Sequence, residues 1–349
     1  MPRPRRPATS PDQLGLSLRG EGFEGRLETR GVFSLAYLSR HLPEAQEFAN
    51  QQEIAAVFRE IGEIWRRHLT ALRRQNEAFT CSTLLEPVLD RLGWRRIPQQ
   101  SMPRGFATRK VPDYCLFTSS EEFTTASEAD ANTLFRLSAT ALEAKKYGHP
   151  LDQLSTSETP GWFPSQQVQD YLNNAKDASG SRFFNWVILT NGSEWRLYTD
   201  RSAVGAYFSF HLVRNGEFCS LTEFRTFVTL FRASAFERAP DGSCFLDEVR
   251  EQSLRLQGDL ENNLRKRIFS VLEDVGTGFA DFEDNHLDEA DFPDAYSSAL
   301  TFLYGLLFVL YAESRSLLPV KAHGPGANRR YLNEFSLARL VERLRSRTL

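Results

Sequence analysis

The dipeptide Asn191-Gly192 stands between two runs rich in apolar, β-branched and aromatic residues, 184–190 and 194–198. Asparagine and glycine suit a tight reversal, so this pattern commits the chain to an antiparallel β-hairpin. A hairpin alone buries too little to be stable in water and needs further strands or covering helices. The sequence offers both. Apolar runs at 111–117, 139–145 and 206–213 read as additional strands. Between 43 and 76, Ile54, Phe58, Ile61, Ile64 and Leu69 recur at helical spacing. A second helix is expected over 80–92, with Leu84, Leu85, Val88, Leu89 and Leu92 on its buried side and Gly93 ending it. Helices are also expected at 166–174 and 221–231, and the polar stretch 119–132 reads as a loop.

Past Ala239-Pro240-Asp241-Gly242 the pattern changes to two long helical stretches, 246–272 and 296–317, with no strand between them. A length of 349 residues is more than one ordinary domain needs. The expected organisation is a flexible basic arm over 1–30, an α/β domain over 31–238 with a mixed sheet flanked by helices, and an all-α unit over 239–349. Gly20, Gly22 and Gly25 form a Gly-x-Gly-x-x-Gly, but Glu21 and Glu24 between them would repel a pyrophosphate and no βαβ unit surrounds them. A dinucleotide site is rejected on those grounds.

The chemistry-bearing feature is Glu143-Ala144-Lys145, the only (Asp/Glu)-x-Lys in a chain with six lysines against 36 arginines. A lysine where arginine serves almost everywhere points to a role for a compact point charge. Alternation along a strand puts Glu143 and Lys145 on one face, and likewise Val111, Asp113 and Cys115 on one face of the preceding strand. If the two strands are neighbours, Asp113 and Glu143 converge on one cation. Hard oxygen donors without a nearby histidine or thiol suit magnesium, or manganese in its place, better than zinc. Gln167 and Tyr171, four apart on one helix, share a face that can meet the Glu-Lys strand. Glu77 is a candidate third carboxylate, and Lys110 a candidate DNA-phosphate contact. Structural readings stand beside these: a strand-start proline before a surface carboxylate, a same-face Glu143–Lys145 ion pair, a helix face packed on a sheet, and an acid in a helix first turn.

Together, Pro112-Asp113-Tyr114, Glu143-Ala144-Lys145, Gln167-x-x-x-Tyr171, Thr190-Asn191-Gly192 and Trp195-Arg196-Leu197-Tyr198 resemble the PD-(D/E)XK nuclease domain. The similarity is to the N-terminal part of type IIG restriction–modification enzymes and related phage-defence DNA methyltransferases. Asn76-Glu77-Ala78 with Leu92-Gly93-Trp94, and Val32-Phe33-Ser34 with Tyr37-Leu38, add to it. The stretch from Phe302 to Leu317-Leu318-Pro319 resembles that family's helical connector. The resemblance implies a restriction-endonuclease-like fold followed by the connector, and a magnesium-dependent endonuclease acting on double-stranded DNA. It implies Asp113 and Glu143 as metal ligands, Lys145 as the catalytic lysine, and Gln167, Tyr171 and Glu77 as accessory residues. Such relatives continue into a methyltransferase, but no Asn/Asp-Pro-Pro-Tyr/Phe motif occurs here. Glu273–Gly278 matches the S-adenosylmethionine turn only superficially; Gly276 and Gly278 read better as a helix C-terminus, so no S-adenosylmethionine site is expected. The chain is expected to be a nuclease-plus-connector piece, split or truncated from its methyltransferase. The alternative is a catalytically silent nuclease fold that binds DNA or docks on a separate adenine-specific DNA methyltransferase. In that case Leu303, Leu306, Leu307 and Leu310 offer a docking face.

Other classes fare worse. Six scattered histidines and no Gly-x-Ser-x-Gly argue against a serine hydrolase. Four distant cysteines argue against a zinc site or disulfide framework and fit a cytoplasmic location. The longest apolar run, 299–312, is shorter than the roughly 20 residues of a membrane span and reads as a buried helix, with no membrane partner. A net charge of −3 means that any DNA affinity must come from a local basic surface.

Overall fold

The computed structural model describes residues 26–45, 51–99, 111–153, 163–177, 179–314, 317–319 and 328–347. The expected arm up to residue 25, its three glycines and Lys110 lie outside the described residues. In chain order the first elements are β1 (Leu27–Glu28), α1 (Leu35–Arg40), α2 (Gln51–Arg74), α3 (Glu77–Thr80) and α4 (Glu86–Arg91). Then come β2 (Arg95–Pro98), β3 (Tyr114–Phe117), α5 (Ser120–Glu128), α6 (Ala131–Leu137), β4 (Thr140–Ala144) and α7 (Pro164–Asn174). The hairpin strands β5 (Trp186–Thr190) and β6 (Glu194–Thr199) lead to β7 (Phe208–His211), β8 (Val213–Arg214), β9 (Glu217–Phe218) and α8 (Leu221–Phe231). The rest is helical: α9 (Phe245–Asp281), α10 (Phe292–Ser314), α11 (Arg329–Glu334) and α12 (Leu337–Arg347). The chain divides into two compact units between Gln257 and Gly258, inside α9.

In the first unit seven strands form one mixed sheet in the order β1-β7-β6-β5-β4-β3-β2. Only β4 and β5 run parallel; the other neighbours are antiparallel. A parallel pair needs a crossover, and α7 lies in the chain between β4 and β5 to make it. Its buried side carries Gln167, Val168, Tyr171 and Leu172. One sheet face, with Leu142, Ala144, Trp186 and Ile188, belongs to a core shared with α2, α4 and α8. The other, with Ala141, Val187 and Leu189, packs with Leu134 and Phe135 of α6 and Val168 of α7. Every residue of β4, β5 and β6 is buried, as expected of central strands covered on both faces.

Several expectations change here. Residues 26–30, assigned to the arm, include β1, an edge strand paired with β7. Arg26 fixes it, pairing with Glu223 at 3.3 Å and donating to the carbonyls of His211 and Glu217. The expected loop 119–132 holds α5 and the start of α6. Ser119 and Glu122 form a reciprocal capping box and Asp130 accepts from Thr133 N, so polar side chains that read as loop are helix starts. The helix expected over 80–92 begins at Glu77 and is interrupted by a π-helical turn, Cys81–Leu85. The hairpin forms around Asn191-Gly192, but only Gly192 has positive φ (+79°). Asn191 Oδ1 instead accepts from Ser193 N and Glu194 N, an Asx-type turn in place of a two-residue primed turn.

In the second unit, Gly276 and Gly278 lie inside α9, which continues to Asp281; they do not end it. The run 299–312, expected to be buried, lies in α10 with Phe302, Tyr304, Phe308 and Tyr311 exposed, Phe308 at 70%. Ala299 and Leu303 do bury, in a small cluster with Leu272. Among the described residues one helical stretch, Glu289–Ser314, is long and apolar enough by length and composition to cross a membrane.

Candidate active site

Glu143 and Lys145 project from the same side of the β4 strand line, as alternation requires. Lys145 Nζ lies 2.7 Å from Glu143 Oε1, with both side chains buried. Lys145 N donates to Thr190 O at 2.8 Å, so the parallel pairing with β5 holds the backbone of the lysine itself. The crossover brings α7 over this strand. Tyr171 Oη is 2.9 Å from both Glu143 Oε2 and the Val111 carbonyl, and it accepts from Gln167 Nε2 at 3.1 Å. With one proton to give, the hydroxyl serves one of those two acceptors at a time.

Asp113 does not lie on a strand. β3 starts at Tyr114, because Pro112 has no N–H to give a ladder and Val111–Asp113 remain outside it. Extending the antiparallel register Tyr114↔Leu142 by one residue nevertheless sets Asp113 opposite Glu143. The Asp113 carboxylate accepts from Ala144 N at 2.7 Å, taking the place of a strand carbonyl. Glu77, in the first turn of α3, places its carboxylate 3.9 Å from Lys145 Nζ. The structure thus groups Glu143, Lys145, Tyr171, Gln167 and Glu77, with Asp113 at the strand end beside them.

The electrostatics follow from this packing. Burial, then the neighbouring charge of Asp113, pushes the Glu143 carboxyl up to about 8, against the pull of Lys145 and Tyr171. Burial works to lower Lys145, but Glu143 and Glu77 outweigh it and hold its ammonium above the ordinary lysine value. Burial beside Glu143 likewise raises the Tyr171 hydroxyl, which stays protonated as a donor. A carboxylate whose ionisation is opposed by a neighbouring acid is one that a divalent cation would relieve.

Among the described residues no group of three His, Cys, Asp or Glu side chains is arranged to hold a metal ion. Two carboxylates fit magnesium all the same, since it commonly takes one or two and keeps several waters. The donor set is all oxygen, with Asp113 and Glu143 as the pair that would hold the ion.

Two neighbours, Tyr147 and Trp65, were not singled out from the sequence. Tyr147 Oη accepts from Trp65 Nε1 at 2.7 Å, and Tyr147 N donates to Thr80 Oγ1 at 3.0 Å. These bonds tie the segment after Lys145 to α2 and α3. The available signal was faint: a tyrosine two residues beyond the lysine. Gly192 is tight for a similar reason, since a Cβ there would meet Leu84 Cδ2 at 2.8 Å. Compared with protein-family models, curated proteins and solved structures, the chain matches none of them.

Proposed function

We propose that the chain is a magnesium-dependent DNA endonuclease module of the PD-(D/E)XK kind, serving restriction or phage defence in the cytoplasm. The observation that carries this reading is the buried Glu143–Lys145 pair, braced by Tyr171, at the end of a strand whose neighbour begins directly after Asp113. A restriction-endonuclease-like core is the finer form of the mixed sheet with flanking helices, and the helical residues of 239–349 take the role of the connector.

In this reading Asp113 and Glu143 would hold the cation, which when bound would offset phosphate charge and acidify water. Lys145 presents its ammonium to the attacking water and to charge developing on the phosphate. Gln167 and Tyr171 fix the Glu143 rotamer, and Glu77 holds Lys145 from the other side. Incubation with plasmid DNA and Mg2+ is expected to give nicked or linear product, none in EDTA, and a loss of roughly 10²–10⁴-fold in Lys145→Ala. Equal cleavage by wild type and Lys145→Ala rejects the reading.

One observation favours a second reading. α10 leaves Leu307 and Leu310 exposed beside its aromatics. There the fold binds DNA or docks on a separate adenine-specific DNA methyltransferase, and the Glu143–Lys145 pair is structural. DNA binding that survives Asp113→Asn/Glu143→Gln, with no cleavage by the wild type, selects it.

A further inference from the structure

The residues just before Glu77 form a lopsided charged surface. α2 carries its acids, Glu53, Glu60 and Glu63, at or before residue 63, and Glu60 pairs with Arg91. From Ile64 to Arg74 it has no acid and four exposed arginines: Arg66, Arg67, Arg73 and Arg74. Among the described residues none of these four has an ion-pair partner, nor has Lys146, which is exposed directly after Lys145. Helix-end electrostatics account for only part of this. The negative end of a helix favours cations in its last turn, where Arg73 and Arg74 sit, but the effect fades within that turn. Arg66 and Arg67 lie about two turns further back.

This arginine tract is fixed in relation to the site. Trp65, next to Arg66, donates to Tyr147, two residues past Lys145. At the other end the chain passes from Arg74 through Gln75 and Asn76 to Glu77, whose carboxylate reaches Lys145. Asn76 caps α3 through Phe79 N at 3.0 Å, which fixes that corner. Arg66 to Arg74 covers about 12 Å of helix axis, enough for several phosphates at about 3.4 Å of rise per nucleotide.

We infer that the C-terminal half of α2, through Arg66, Arg67, Arg73 and Arg74, together with Lys146, holds the phosphate backbone of duplex DNA beside the Glu143–Lys145 site. The identity of the polyanion rests on the nuclease reading; the surface itself does not. With a net charge of −3, the chain has no general attraction for DNA, so this local excess of positive charge is what would supply it. Because phosphates carry no sequence information, the tract fixes position and orientation, not target choice.

The test is binding of a short labelled DNA duplex of mixed sequence, in EDTA so that nothing is cut, across a range of salt. Arg66→Ala/Arg67→Ala and Arg73→Ala/Arg74→Ala are each expected to weaken binding about tenfold or more at low salt. Each should flatten the log-affinity against log-salt slope by about 0.9 for every phosphate the protein no longer neutralises. The lysine pair Arg66→Lys/Arg67→Lys should retain most of the affinity, since a phosphate accepts either cation. A control pair far along the chain, Arg255→Ala/Arg265→Ala, removes the same charge and should leave binding unchanged. Thermal melting checks that these exposed substitutions leave the fold intact.

Unchanged affinity in both α2 variants, an equal loss in the control pair, tighter binding of duplex RNA than of DNA, or no duplex binding by the wild type would each overturn the inference. The failures separate. A wild type that binds duplex through this tract but never cuts supports the surface and sinks the nuclease reading. Cleavage with affinity unaffected in the α2 variants does the reverse.

Discussion

The first unit buries Glu143 and the second buries Glu313, and the two carboxylates are treated in opposite ways. Glu313 near the end of α10 accepts from four neutral donors: Tyr331 Oη at 2.9 Å, Leu337 N and Ala338 N at 3.0 Å, and Ser336 Oγ at 3.3 Å. Two of these are amides at the start of α12, where a helix favours negative charge. Burial works against its ionisation, but these bonds outweigh it and hold Glu313 below the usual glutamate value. Glu143 has a lysine and a tyrosine, yet lies deep in the sheet facing Asp113, and its carboxyl is pushed the other way. A carboxylate supplied with amide donors is a fastener. One left in tension with a second acid is open to a cation or a proton, and that difference separates structural burial from a reactive site more sharply than burial itself.

The largest effect that tests this contrast is on catalysis. Glu143→Gln keeps the shape of the side chain and removes its charge, so cleavage is expected to fall by more than about 100-fold, beyond the usual loss for a group that only supports a metal ligand. Glu313→Gln should leave cleavage per folded molecule unchanged. A Glu143→Gln protein that cuts as well as wild type would make both carboxylates fasteners.

Next in size is stability. Glu313→Ala strips the partner from two backbone amides and two hydroxyls, with an expected cost of about 1–3 kcal/mol. All five tryptophans precede residue 258, so their emission reports the first unit alone, whereas far-UV circular dichroism reports both. In Glu313→Ala the helical signal should therefore begin to fall at a lower temperature than the tryptophan signal. Coincident, unshifted melts would show that Glu313 contributes nothing of the kind.

What the sequence disclosed follows the same division. Central strands announce themselves because β4 and β5 are buried on both faces and read as apolar runs with few polar residues. Glu143 and Lys145 were legible as exceptions inside such a run. The α7 face was legible too, because Gln167 and Tyr171 are polar residues one helical turn apart. The start of β3 was misplaced, since Asp113 satisfies Ala144 N with its side chain and no propensity rule anticipates that. α5 and α6 were missed because Ser119 and Asp130 serve equally in loops and as helix caps, and only the Glu122 and Thr133 amides decide between them. α10 was misread for a different reason. Its residues are apolar nearly all round, a pattern that signals burial, but the described second unit offers only Leu272, Ala299, Leu303 and a few partly buried neighbours as a core. Hydrophobicity predicts a wish for cover and cannot say whether the cover is there.

The smallest effect is the response to pH, and it should have opposite sign in the two units. An acid that holds its proton more tightly when folded stabilises the protein fully below its unfolded value. For Glu143 that value is 4.5, and the contribution is lost as pH rises through about 8. An acid depressed by folding does the opposite, so the contribution of Glu313 is present above 4.5 and is lost as pH falls through its lowered folded value. In EDTA, the melting difference between wild type and Glu143→Gln, followed by tryptophan emission, should therefore shift against the wild type as the buffer moves from about pH 5 to about pH 8. The difference between wild type and Glu313→Gln, followed by circular dichroism, should instead narrow on acidification below about pH 4. If Glu143 holds magnesium as proposed, the ion competes with the proton there, so its stabilising effect on the tryptophan melt should be slight near pH 5 and grow toward pH 8. A magnesium effect of the same size at both ends would mean that the cation binds elsewhere, and Glu143 would then differ from Glu313 in its surroundings but not in its use.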